Sequence, residues 1–166
     1  MTSRLLVDKI EGKSTSGTIE MPEGHIVQTV SFDRVGRNSS LSPLVILTSS
    51  SFVDVMSKSI TTKLASSKIF VSLDIVAYDG SNNMRVKTKF FRNSTEINGD
   101  IYAFYGANAT MHNYVFSMLD SPSASAGTTL TYKLQGAVTG GSTTTIGYAN
   151  SGGGSNANIT LMEIAQ

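Results

Sequence analysis

The chain contains no cysteine. That excludes disulfide frameworks, thiolate metal sites and cysteine nucleophiles, and it leaves the redox compartment open. Charge is scarce as well: acidic and basic residues make up 15% of the 166 positions and nearly cancel, to a net +1. No field of one sign draws such a chain to a polyanion or an anionic bilayer, so neither nucleic acid nor membrane insertion is expected. The opening residues, M-T-S-R-L-L-V-D-K-I, lack the apolar core of a signal peptide, and no apolar run is long enough to span a bilayer. Synthesis and assembly in a cytoplasm are therefore expected. The apolar spacing of an amphipathic helix is missing too. Residues 54–64 come nearest, but Ser57, Ser59, Thr61 and Thr62 are weak helix formers, and the stretch reads as irregular or strand. Sequons at Asn38, Asn93, Asn108 and Asn158 are what chance supplies in a chain rich in Asn, Ser and Thr, and no glycosylation is expected.

What is present favours strands and turns. Residues 66–78, S-S-K-I-F-V-S-L-D-I-V-A-Y, form the longest uninterrupted β-type run. Alternation puts Ile69, Val71, Leu73, Ile75 and Ala77 on one wholly apolar face, which must be buried. The other face, Phe70, Ser72, Asp74, Val76 and Tyr78, suits partial cover by the same subunit or by another. Asp74 is expected to be paired or solvated, because an unpaired buried carboxylate is costly. Shorter runs surround this one. Residues 25–32 alternate, and 44–47 read as a short buried strand. Residues 84–91 are expected to return as the hairpin partner of the long run across the turn Y-D-G-S-N-N. A second turn, F-R-N-S-T-E-I-N-G-D, leads to 101–105, and 114–119, 129–135, a Thr-rich piece within 140–148, and 158–164 follow. Short strands at this spacing, with Gly, Ser and Asn turns, predict an all-β fold, an antiparallel two-sheet β-sandwich of jelly-roll type. Residues 1–24 read as an extended arm. Its Leu5, Leu6, Val7 and Ile10 are too few to build a core but are available to dock elsewhere, and residues 25–166 form the head domain.

No catalytic constellation emerges. There is no G-x-S-x-G elbow, His25 and His112 sit in unrelated contexts, and nothing pairs Asp74 with Asp100 or Asp120 as a glycosidase would need. The chain is expected not to be an enzyme. Neither a His-x-His cluster nor an Asp-rich calcium loop is present, and Gly152, Gly153 and Gly154 lack the Lys-Ser/Thr of a phosphate loop. No metal or cofactor is expected. Two surface features stand out. Arg85, Lys87 and Lys89 share one face of one strand, joined by Arg92, and are placed to meet a polyanion. The favoured reading of this stripe is plainer: charges on a solvent-facing strand that guard against edge pairing. Tyr102, Phe104, Tyr105, His112, Asn113 and Tyr114 make the most aromatic patch. Aromatic faces beside amides suit a sugar surface, which makes Tyr102, Tyr105, His112 and Asn113 candidate glycan contacts. The plainer reading puts Tyr102 and Phe104 in the core and the rest in a loop.

A set of short segments, in order, carries a family resemblance. These are P-E-G-H-I-V-Q-T-V (22–30), S-I-T-T-K-L-A-S-S-K-I-F-V (59–71), K-F-F-R-N-S-T (89–95), F-S-M-L-D-S-P (116–122), T-Y-K-L-Q (131–135) and I-T-L-M-E-I-A (159–165). Together they resemble small virion proteins of tailed bacteriophages, especially marine ones, from about Leu6 to the end. The resemblance implies a fibre head or knob, or a surface-decorating protein, similar in architecture to the trimeric jelly rolls of the tumour-necrosis-factor and complement types. It further implies a homotrimer with Phe70, Val76 and Tyr78 at the trimer contact, and an N-terminal arm (Leu5, Leu6, Val7, Ile10) held by other virion proteins. Distal loops at 79–84, 93–100 and 106–113 would contact a glycan of the host surface. The location implied is the virion, assembled in the host cytoplasm. The chain departs from the family pattern in the penultimate strand, where an Asn-Arg pair is usual and Ile146, Gly147 and Tyr148 stand here. Two other readings stay open: a capsid- or tail-decorating protein with no receptor role, and a non-viral carbohydrate-binding β-sandwich module.

Overall fold

A computed structural model describes residues 22–36, 44–79, 84–106, 111–140, 143–147 and 155–166. The long run forms as β4 (Lys68–Asp79), a strand flanked on both edges. Numbered in chain order, the others are β1 (Ile26–Gly36), β2 (Val45–Leu47), β3 (Val53–Thr61), β5 (Met84–Arg92), β6 (Thr95–Gly106), β7 (Met111–Asp120), β8 (Thr129–Gly140), β9 (Thr144–Ile146) and β10 (Ser155–Ile164). β10 pairs antiparallel with residues 68–75 of β4, and β9 continues along that edge at 77–79. β7 takes the opposite edge, from Ile69 against Asp120 to Tyr78 against Met111. β1 lies outside β10, and β2 lies outside β9. The second sheet runs β3-β8-β5-β6. Without the short β2 and β9, the two sheets read β1-β10-β4-β7 and β3-β8-β5-β6. Apart from the β5–β6 hairpin, successive long strands alternate between sheets, which is the strand order of a jelly roll. The all-β, antiparallel two-sheet sandwich of jelly-roll type read from the sequence is the fold observed.

The core lies where the alternation of β4 places it. Ile69, Val71, Leu73, Ile75 and Ala77 are fully buried, beside Ile159 and Leu161 of β10 and facing Val86, Phe90, Leu130, Tyr132 and Leu134 of the other sheet. The Phe90 ring lies 5.4 Å from that of Phe116 across the two layers. Each fully buried Val, Leu, Ile or Phe side chain contributes roughly 1.5–3 kcal/mol. One expectation is corrected here: β4 and β5 do not form a hairpin. Both edges of β4 are taken by β10, β9 and β7, so the chain crosses to the other sheet after Asp79. Residues 54–64, the nearest approach to a helical pattern, are mostly strand (β3). Their serines and threonines form a polar ladder on β8, with Ser59 to Thr131 at 2.8 Å and Thr61 to Thr129 at 3.0 Å.

The strand order also fixes two ends. At the near end are the turn at Pro22–His25, the C-terminus, and the connections 62–67, 93–94 and 121–128. Backbone bonds join these segments: Gly24 N–H to Ala165 O (2.9 Å), Thr62 N–H to Thr128 O (2.9 Å) and Ser66 N–H to Ala124 O (2.8 Å). At the far end, β1, β4, β6 and β8 run out toward residues that lie outside the described set. Segments 79–84 and 106–113, expected as outward loops, start from this far end. Segment 93–100 does not. Its turn is Asn93 and Ser94 alone, with β6 beginning at Thr95, and it sits at the near end. Asn93 makes so tight a turn possible by taking φ 53° and accepting the Thr131 N–H on its side-chain oxygen at 2.9 Å.

Two carboxylates lock the near end. Glu163, fully buried on β10, accepts from the backbone N–H groups of Lys63 and Leu64 (both 2.9 Å), from Ser67 Oγ (2.8 Å) and from Gln28 Nε2 (2.6 Å). Burial alone would raise its pKa, but the N–H groups of Leu64 and Lys63 with Gln28 and Ser67 outweigh that and hold it below the usual value. Asp120, at the end of β7, accepts both bonds from Arg92 of β5 (2.7 and 2.8 Å) and one from the Tyr132 hydroxyl of β8 (2.6 Å). Burial, then the adjacent Asp120 carboxylate, push the Tyr132 hydroxyl well above its ordinary pKa, so it remains a donor. This second cluster ties one sheet to the other.

Candidate functional site

With one face of β4 in the core, its alternate residues form the outer face of the β1-β10-β4-β7 sheet. Phe70, Ser72, Asp74 and Tyr78 are half-buried there, while Val76, at 9% exposure, is buried within the single chain. The face is thus neither open nor fully covered. Asp74 is paired on one oxygen, Oδ2, which accepts from Asn156 Nδ2 at 2.7 Å. Its buried Oδ1 has no hydrogen-bond partner among the described residues. Of the candidate trimer residues, Phe70 and Tyr78 therefore have surface left to offer, and Val76 has little.

The most exposed apolar residues of this face belong to the next strand. Met111, Val115 and Leu119 of β7 are 55%, 68% and 51% exposed. In register they flank Tyr78, Asp74 and Phe70. Such cross-strand neighbours sit about 4.5–5.5 Å apart at Cβ. The row Met111, Asn113, Val115, Ser117, Leu119 therefore widens the Phe70–Tyr78 face by one strand. The β-type pattern in the sequence begins at Tyr114 and leaves Met111 and Asn113 in a loop, whereas β7 begins at Met111. The signal available in the sequence was the absence of any charged residue from 111 to 119.

The basic stripe lies on the opposite outer face. Arg85 is exposed and Lys87 and Lys89 half-buried on β5. Lys89 Nζ sits 3.1 Å from Glu96 and 5.0 Å from the centre of the Phe52 ring. Lys133, on the neighbouring β8, is 3.2 Å from Asp54 and stands over Phe91. A hydrogen bond from Gln135, against a smaller effect of burial, and the Lys133 ammonium hold the Asp54 carboxyl below its usual pKa. Lys89 and Lys133 thus already have carboxylates and rings beside them, and the stripe guards no edge, because β5 lies between β6 and β8.

The aromatic patch is divided by the fold. Tyr102 and Tyr105 belong to β6, in register with Lys87 and Arg85, and their side chains lie outside the described set. His112 and Asn113 belong to β7, in the other sheet. Being successive residues of a strand, they point to opposite faces: His112 is half-buried beside Ala77, and Asn113 is exposed. Tyr114 stacks on Phe116 with ring centres 6.4 Å apart. The arm residues Leu5, Leu6, Val7 and Ile10 lie outside the described residues. Where the resembling family has Asn-Arg, Ile146 is buried and Gly147 takes φ 69°, and a Cβ there would lie 2.8 Å from that of Leu44. The Gly147 N–H bonds Val76 O at 2.7 Å and so fastens the end of β9 to β4. Among the described residues no cluster of His, Asp and Glu is arranged to hold a metal ion.

No family model and no curated protein sequence matches the chain. Solved structures do match in fold. The VP2 subviral particle of infectious bursal disease virus aligns with a TM-score of 0.53 and 7% identity, covering 96% of this chain and 37% of that one. The T13 particle of the same virus aligns with a TM-score of 0.49 and 9% identity, covering 96% of this chain and 40% of that one. This chain therefore spans about two fifths of the length of those proteins.

Proposed function

We propose that the chain is a non-enzymatic structural protein of a virus particle, working as the trimeric head or knob of a bacteriophage fibre. What carries this reading is a jelly roll with one outer face made for contact: half-covered at Phe70 and Tyr78 and edged by the exposed Met111, Val115 and Leu119. A threefold arrangement would bury the Phe70 and Tyr78 part of that face against a neighbouring copy and leave its β7 border outside the contact. The likeness in fold to a particle-forming viral protein is consistent with a virion role. Polarity supports it further. The first described residues, Pro22–His25, lie at the near end, and in this reading the segment before them, with Leu5, Leu6, Val7 and Ile10, is the attachment to other virion proteins. Segments 79–84 and 106–113 start from the far end, with Tyr105 at the end of β6 and His112 and Asn113 at the start of β7, and would face the host surface. Repetition on a particle would turn weak single contacts into firm attachment through effective concentration.

Light scattering on the full chain tests the trimer. The expected mass is three chain masses or a multiple of three, falling threefold in Phe70→Lys, with a melting temperature close to that of the parent. A parent with the mass of one chain, or a Phe70→Lys protein of unchanged mass, would remove the trimer.

A further inference from the structure

Four long strands lie at the edges of the two sheets, and three of them are defended. β1 carries Asp33 and Arg34 and a register break near Ile26. β3 carries Asp54 and Lys58 and a bulge between Asp54 and Met56. β6 carries Glu96, Gly99 and Asp100 and pairs with β5 through several register shifts. Charges, bulges and glycine are the devices that keep an exposed edge from recruiting another strand. β7 has none of them before its last residue, Asp120, which is held by Arg92 and Tyr132. From Met111 to Leu119 it holds no charge, no proline and no glycine, its register against β4 runs unbroken over ten pairs, and among the described residues it pairs with no other strand.

We infer that this edge is a docking strand for β7 of a second copy, joined antiparallel about a twofold axis at Val115. The sequence of the strand says what fits it. Antiparallel pairing about Val115 sets Val115 against Val115, Ser117 against Asn113 and Leu119 against Met111 on the outer face. On the inner face it sets Phe116 against Tyr114 and Met118 against His112. Every cross-strand pair but one is then apolar with apolar, amide with hydroxyl, or ring with ring. The one mixed pair, His112 with Met118, brings no like charges together. Cross-strand aromatic and β-branched pairs are the stabilising ones in a ladder, and the edge N–H and C=O groups would find partners along the whole strand. The four-strand layer would become an eight-strand sheet continuous through the dyad, an isologous contact distinct from any threefold one.

The absence of cysteine makes the test clean. In Val115→Cys, mild oxidation is expected to give a covalent dimer in high yield, while Ser57→Cys, on the outside of the other sheet, gives little. Val115→Lys, at a site 68% exposed, is expected to fold normally and to weaken the twofold association about tenfold or more, halving the mass where Phe70→Lys divides it by three. The register has its own check. Met111→Lys and Leu119→Glu should each weaken pairing, and the double variant should restore it, because each new lysine meets the other copy's glutamate. Equal cross-linking of the Val115→Cys protein and the Ser57→Cys control would overturn the proposal. So would a double variant no better than either single one, or self-association that emerges only after residues 1–21 are deleted, which would give the edge to the chain's own arm.

Discussion

Glu163→Ala is expected to lower folding stability by about 4 kcal/mol, the loss of one acceptor that serves four donors from two separate segments, the β3–β4 connection and β1. The carboxylate is fully buried, and the N–H groups of Lys63 and Leu64, the Ser67 hydroxyl and the Gln28 amide all converge on it. Truncation leaves those donors facing a cavity in the β3–β4 connection. For a chain of this length the melting temperature should fall by about 10 °C. Glu163→Gln should cost less, about 2 kcal/mol, since one oxygen survives while the new amide opposes existing donors. The same group sets a pH dependence. Its folded pKa is depressed, so its contribution is complete above the unfolded value of about 4.3 and is lost as pH falls through the lower, folded value. Melting curves across that acid range should show a shallower loss of stability in Glu163→Gln than in the parent. Parallel curves would refute the assignment.

Asp120→Ala is the second large effect, expected at about 3 kcal/mol. It strands the Arg92 guanidinium, about three-quarters covered, and the hydroxyl of the fully buried Tyr132. Tyr132→Phe removes donor and demand together and should cost about 1 kcal/mol. The order matters more than the sizes: a tyrosine variant as damaging as the aspartate one would mean that the hydroxyl, not the ion pair, holds the sheets together. A double-mutant cycle between Arg92→Ala and Asp120→Ala should give a coupling of about 2 kcal/mol, measured by denaturant unfolding. Because Asp120 ends β7, its loss should also loosen the near end of the strand proposed to dock a second copy.

How far the fold was legible follows from what kind of information each feature needs. β4 could be read because its two faces differ in kind, and alternation is a local signal. β3 was half-hidden, since Ser57, Ser59 and Thr61 look like strand residues only beside the matching Thr129, Thr131 and Lys133 of β8. The β4–β5 hairpin that the turn signal predicts is absent for a related reason. A turn signal is local, but whether the chain returns to the same sheet depends on which edges are already taken, and β4's are filled by strands much later in the sequence. Glu163 looked like one more residue in an alternating strand. Its donors lie about 100 residues away or more, so no local pattern marks it as a buried hub. The contact surface divides in the same way. Phe70 and Tyr78 were picked out by alternation, whereas Met111, Val115 and Leu119 became visible once β7 was known to be an edge.

The most direct test of the virion assignment is cryo-electron microscopy of purified particles in which this chain carries a C-terminal label. The expected image has the label in clusters of three at the particle surface, on the near side of each head, with the far end turned outward. Particles that carry no label, made by cells that contain the labelled chain, would contradict the assignment.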